Sequence, residues 1–213
     1  MSTKKLITDI LMYVIGIFIT GLGANLIVHG NLGSGAWDAV AKNLGILISV
    51  KFAVAGAMIS SFILIIVTIY NKKWKFLIGF IPIIGLFFSV YFWDIIVFGS
   101  YYAEPILMKI LLFSAGAIVL SFALGLIVVS TLPAMVYDEM TIILMKVLKI
   151  PSFFKTRILF EFFAVFLAIG LGYLAGIGFG FVSYGSVALS FIIGPLIAFQ
   201  MKWLSKIFHQ KRV

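Results

Sequence analysis

Cysteine is absent from the 213 residues, and the chain carries only two histidines, five prolines and seven acidic residues. Without thiols there is no disulfide and no thiolate metal site, and two histidines as far apart as His29 and His209 argue against a His-based metal centre. Also missing are the Gly-x-Ser-x-Gly elbow, the His-Glu-x-x-His pair and the Walker phosphate loop. No catalytic residue, metal or cofactor is therefore expected, and an enzyme is the least favoured class. Charge is scarce as well, at 11% against 63% apolar residues, with a mean hydropathy of +1.24. A soluble fold of this length could not hide so much hydrocarbon from water, so the expected solvent is lipid and the chain is one integral membrane domain, residues 1–213.

Apolar runs of about 20 residues suit a membrane span. Six occur, near 9–28, 52–70, 76–98, 108–130, 156–175 and 180–201. Lys4 and Lys5 ahead of the first run have the charge order of a signal peptide. No small-x-small cleavage site follows and five more runs do, so a retained first span is expected. Two further segments, 36–49 and 136–149, are too short and too polar to cross, yet rich in helix formers. They follow the first and fourth spans.

The halves resemble each other. Setting residues 16–59 over 116–159 without a gap gives seven identities: Gly16 with Gly116, Leu26-Ile27-Val28 with Leu126-Ile127-Val128, Leu32 with Leu132, Asp38 with Asp138 and Leu44 with Leu144. Gly23 over Ala123 and Trp37 over Tyr137 are softer matches in the same register. Each half, about 9–98 and about 108–204, reads as span, short broken helix, span, span, a transporter-like pattern. The expected fold is an all-α polytopic membrane protein of six transmembrane helices, arranged as two inverted three-helix repeats. Each repeat carries a short broken or re-entrant helix after its first span.

Inversion follows from the odd number of spans per half and from the basic residues, which favour cytoplasmic loops. With both termini inside, 13 of the 16 Lys and Arg residues are cytoplasmic, leaving only Lys42, Lys51 and Lys109 outside. Had the short helices crossed too, the Lys72-Lys73-Trp74-Lys75 loop would lie outside, against the rule. The basic residues mark topology and meet lipid phosphates; they form no nucleic-acid surface.

Gly30, Gly33 and Gly35, with Asn31 and Ser34, break the first half after its first span. Irregular backbone is not tolerated facing lipid, so these segments belong at the interface or around a protein-lined cavity. Loops entering from opposite faces would bring Asp38 and Asp138 to one pseudo-twofold axis.

Each acid has a structural reading beside the functional one. Asp38 sits in the first turn of its short helix, where the dipole favours an anion, with Lys42 as an i,i+4 partner. Asp138 and Glu139 adjoin in a nearly uncharged stretch and favour a polar cavity. Arg157 and Glu161, one turn apart in the fifth span, are either an intrahelical ion pair with Arg157 reaching lipid phosphates or part of a site. Asp94, after Tyr91, Phe92 and Trp93, reads as an exposed acid in an aromatic belt or an outer gate. Asn25 and His29 are placed to line the same cavity as Asp38. The Gly16, Thr20, Ala24 face suits close helix contact inside the bundle or with a partner subunit. The Gly176-Ile177-Gly178-Phe179-Gly180 run reads as a tight turn.

The motif Leu32-Gly33-Ser34-Gly35-Ala36-Trp37-Asp38, preceded by Gly21-Leu22-Gly23-Ala24 and followed by Gly79 and Asp94, resembles the first half of the YczE/YyaS/YitT-type bacterial integral membrane proteins. Asp138, Arg157, Glu161 and the stretch from Gly178-Phe179-Gly180 to Gly194-Pro195 are similar to that family's later motifs. Pro133-Ala134-Met135 departs from it, standing where a Gly-x-Gly-like turn is expected. The resemblance implies a multi-span protein of the bacterial cytoplasmic membrane, in a family described as permeases or regulators.

The expected function is a small-solute permease whose central site is lined by Asp38, Asp138, Glu139 and Glu161, cation-selective or proton-coupled. Two other classes stand beside it: a substrate-binding subunit of a larger energy-coupled transporter, and a scaffold for a membrane-bound biosynthetic enzyme. A partner subunit or a second copy of the chain fits either.

Overall fold

The computed structural model describes residues 3–130, 132 and 135–208; Pro133, Ala134, His209, Lys211, Arg212 and the side chain of Lys4 lie outside the described residues. The described residues form eight α-helices and no strand. The long helices are α1 (Thr3–His29), α3 (Phe52–Asn71), α5 (Ile106–Val129), α7 (Phe153–Leu174) and α8 (Tyr184–Ile207). A sixth apolar stretch combines a 3-10 turn (Trp74–Gly79), α4 (Phe80–Tyr91) and a π-helical turn (Phe92–Phe98). All six are long and apolar enough to cross a bilayer. The short helices α2 (Ala36–Leu47) and α6 (Val136–Val147) have 12 residues each. At about 1.5 Å per residue they reach roughly 18 Å, far short of the ~30 Å hydrocarbon core. This is a multi-pass membrane protein, and its outward side chains agree: Phe62, Phe88, Ile96, Leu107, Phe166 and Phe199 are all exposed apolar groups.

The axis of the bundle is the antiparallel contact of α1 with α5, and small residues make it close. A Cβ on Gly16 would stand 2.7 Å from Ile127, one on Gly23 2.6 Å from the backbone of Leu120, and one on Gly116 2.7 Å from Ile27. In lipid, where apolar contact alone draws helices together weakly, such approach supplies the packing. Gly16, Thr20 and Ala24 are all buried in this bundle, so that face is not available to a partner subunit.

Around the axis, α4 packs on α1 and α3, while α8 packs on α5 and α7. Both short helices wedge between α3 and α7. Ala36, Ala39 and Val40 of α2 pack on Ala164, Val165 and Ala168 of α7, and Val136 and Ile143 of α6 on Ile63, Leu64 and Val67 of α3.

The last span begins later than the 180–201 expectation. Gly176, Gly178 and Gly180 all take positive φ, extending the turn, and Ser183 then opens α8 with a capping box to Ser186. The turn is tied down from α2: Asn43 donates through Nδ2 to the Ala168 carbonyl at 2.8 Å and accepts from the Phe181 amide at 3.1 Å. Gly33, at φ +115, lets the loop before α2 press on α8, where a Cβ would meet Ser186 at 2.7 Å.

Candidate functional site

Two charged clusters form inside the bundle, and α2 contributes to both. The first gathers where α2 and α6 begin. Trp37 of α2 has its ring centroid 5.0 Å from that of Tyr137 on α6 and 4.6 Å from that of Phe160 on α7. Beside these rings, Arg157 donates from Nη1 to Asp138 Oδ1 at 2.8 Å and from Nε to Glu161 Oε1 at 3.0 Å. One guanidinium thus spans two carboxylates from two helices, a geometry its planar fork allows. The Tyr137 hydroxyl lies 3.1 Å from Ser60 Oγ, while the buried Trp37 Nε1 has no hydrogen-bond acceptor among the described residues.

Asp38 occupies the first turn of α2 and curls back on the N-cap, where a Cβ at Gly35 would stand 2.8 Å from its Oδ2. The expected i,i+4 pairing with Lys42 does not form, and Asp38 has no ion pair among the described residues. Burial, then repulsion from Glu161, raise its pKa to about 7 against the weaker pull of Lys42. Asp138 is also raised, by burial, with Arg157 opposing. Its expected isolation from basic residues is thereby corrected: the partner comes from the next span, 19 residues on.

Glu139 does not join this cluster. Successive helical residues point about 100° apart, and its side chain borders a separate cavity of about 170 Å³ with Lys75, Phe76 and Val136. Burial, then Asp138, raise its pKa.

The second cluster lies farther along α2, toward its junction with α3. Lys42 Nζ donates to Asp94 Oδ1 at 3.1 Å, and His29 Nε2 lies 3.2 Å from the same oxygen. Asp94 is only 7% exposed, which overturns the exposed-belt reading. The π-helical turn that carries it is closed by the Gly99 amide on the Asp94 carbonyl at 2.9 Å. The His29 ring is held between Phe98 and Tyr102, each 4.7 Å away, with Nδ1 on the Tyr101 carbonyl.

Asn25 and His29 therefore do not share a site with Asp38. Asn25 ties α1 to α4 through its bonds to the Gly21 and Val90 carbonyls. The residue that sequence reading undervalued is Lys42, assigned only to a helical neighbour; its signal was an isolated cation in the otherwise uncharged Ala39–Gly45 stretch. Asn43 has no signal of its own, an amide in an apolar helix carrying no distinctive spacing, and Trp37 enters the sequence reading only as the match of Tyr137 and as part of a motif.

No curated protein and no solved structure matches the chain. A family model matches residues 7–202, which include all six apolar spans in whole or nearly so, both short helices and both charged clusters. The chain belongs to DUF6198, a family of unknown function.

Proposed function

We propose that the protein is a small secondary transporter of the bacterial cytoplasmic membrane, working through a central site of Asp38, Asp138, Glu161 and Arg157 that takes a proton or a small cationic solute. Arg157 carries this reading. Its single guanidinium serves Asp138 and Glu161 while Asp38, close enough to Glu161 to feel its charge, has no ion pair among the described residues. Three acids around one base are short of positive charge, and charge left uncompensated inside a membrane protein is costly. A bound proton or cation reduces the deficit. Asp38 and Asp138 also sit at the positive ends of the α2 and α6 dipoles, so those helix ends are already occupied by anions.

Packing supports the inverted-repeat reading that belongs with this function. The pairs Gly16–Ile127 and Gly116–Ile27 exchange under the 100-residue offset. So do the packing of α2 on α7 and of α6 on α3, and that of α4 on α1 and of α8 on α5. Half-helices meeting where two repeats join are the usual setting of a transporter's binding site. The basic-residue count favours both termini in the cytoplasm. The motif resemblance to YczE/YyaS/YitT-type proteins is in keeping with a bacterial inner-membrane protein, and we propose no catalytic role.

The test is uptake of small organic cations into proteoliposomes under an imposed pH gradient. Gradient-dependent uptake by the wild type, abolished in Asp38→Asn and Asp138→Asn variants that still elute as folded protein, is expected. Folded wild type that shows no such uptake overturns the proposal.

A further inference from the structure

The second cluster opens into a cavity of about 410 Å³ whose walls include Lys42, Lys51, Phe52, Asp94, Tyr102 and Phe181. Its polar wall is built by hydrogen bonds to Asp94. A backbone carbonyl only accepts, so the contact of His29 Nδ1 with the Tyr101 carbonyl places a proton on Nδ1. Nε2 of the same ring lies 3.2 Å from Asp94 Oδ1, so Asp94 Oδ1 is shared between His29 and Lys42.

The donors of the Lys42 ammonium are incompletely used. Lys42 is 9% exposed, and its ammonium has three donors but, among the described residues, a single hydrogen-bond partner, Asp94 Oδ1. Its remaining surroundings are the rings of Phe52 and Phe181, whose centroids lie 4.7 and 5.6 Å from Nζ. At the rim, the exposed Lys51 has no ion pair among the described residues and precedes α3, a 20-residue helix with no side-chain cap and no acid in its first turn. Every unspent donor around this space asks for an anion, while the rings offer an apolar wall.

We infer that this cavity is an anion-binding site, built for a carboxylate or phosphate group carried on an apolar body. The anion sits between Lys42 and Lys51 near the start of α3, and its apolar part lies along Phe52, Phe181 and Tyr102. The site is distinct from the acidic centre: its cavity is bordered by Lys42 and Lys51, and its residues, α2 apart, come from different elements. It stands or falls without the transport proposal. A free small anion and an anionic lipid headgroup share the required chemistry.

The experiment uses the full chain in a neutral detergent, titrated calorimetrically with benzoate and with inorganic phosphate at matched ionic strength. In parallel, thermal midpoints are measured in phosphatidylglycerol and phosphatidylcholine nanodiscs. Saturable benzoate binding, stronger than phosphate binding, identifies a free carboxylate. Stabilisation by phosphatidylglycerol alone identifies a lipid headgroup; both outcomes uphold the site. In Lys51→Gln, which alters only an exposed rim residue, the response should weaken roughly threefold, in line with an exposed charge contact. In the charge-neutral double variant Lys42→Gln/Asp94→Asn it should weaken by about tenfold or more. No response to any of the three probes, phosphate binding as tight as benzoate binding, or an unchanged response in Lys51→Gln and the double variant overturns the inference.

Discussion

The rings of Trp37 and Tyr137, separated by 100 positions in the chain, meet with their centroids 5.0 Å apart and their planes inclined at 39°. Each stands one residue before the aspartate of its short helix, so the contact fixes how the two helix starts face each other. Aromatic pairs contribute about 0.5–1.5 kcal/mol beyond the area they bury. A double-mutant cycle on Trp37→Leu and Tyr137→Leu should therefore return a coupling of about 1 kcal/mol in unfolding measurements. Additive effects would show that the rings do not act together.

Lys42 offers a direct choice between two partners. Its ammonium bonds Asp94, 52 positions away, rather than Asp38 on its own helix. Removing one member of a buried ion pair costs about 3–5 kcal/mol, because the other is left uncompensated. Asp94→Asn and Lys42→Met should each destabilise by amounts in that range, while Lys42→Met/Asp94→Leu recovers much of the loss. Asp38→Asn, which breaks no ion pair, should leave the chain as stable as the wild type or more so at neutral pH. Melting of the four variants in one detergent decides between the pairings.

Glycine is required at the α1–α5 contact, at the matched positions 16 and 116 among others, and is indifferent at Gly170 of α7. Gly16→Val and Gly116→Val each force a side chain into a neighbour 2.7 Å away and should cost about 1–3 kcal/mol or more. Gly170 has nothing within 4 Å of an added Cβ, so Gly170→Ala should gain up to about 1 kcal/mol from helix propensity. Equal tolerance at all three positions would contradict the close approach of these helices.

Local signals in the sequence were reliable where the physics is local. Twelve-residue helices at α2 and α6 fall inside the 36–49 and 136–149 segments because length, polarity and flanking breakers decide them. Side-chain partners were less legible. Lys42 has an acid four residues before it, and only the fold brings in Asp94. Asp138 has no cation within its own helical turns, because its partner Arg157 arrives from the next span. The burial of Asp94 depends on a π-helical turn, a departure of one backbone hydrogen bond that has no compositional signature. The start of α8 is not legible from composition, because apolar content continues through a turn that three positive-φ glycines hold open.

Asp38 makes a prediction about pH whose sign is fixed by its surroundings. Its pKa is raised from the ordinary 3.8 to about 7, by burial and then by Glu161. Between those values the folded chain holds a proton that the unfolded chain has released, so stability falls as pH rises through this window and levels off above about 7. Asparagine at this position holds no titrating proton and is blind to the change. The difference in thermal midpoint between Asp38→Asn and wild type should grow in favour of the variant from pH 5 to pH 7, then stay constant to pH 8. Asp138 titrates in both proteins, so its contribution cancels in the comparison. Parallel melting curves over that range would mean that Asp38 is ionised throughout, and would remove the proton from the proposed central site.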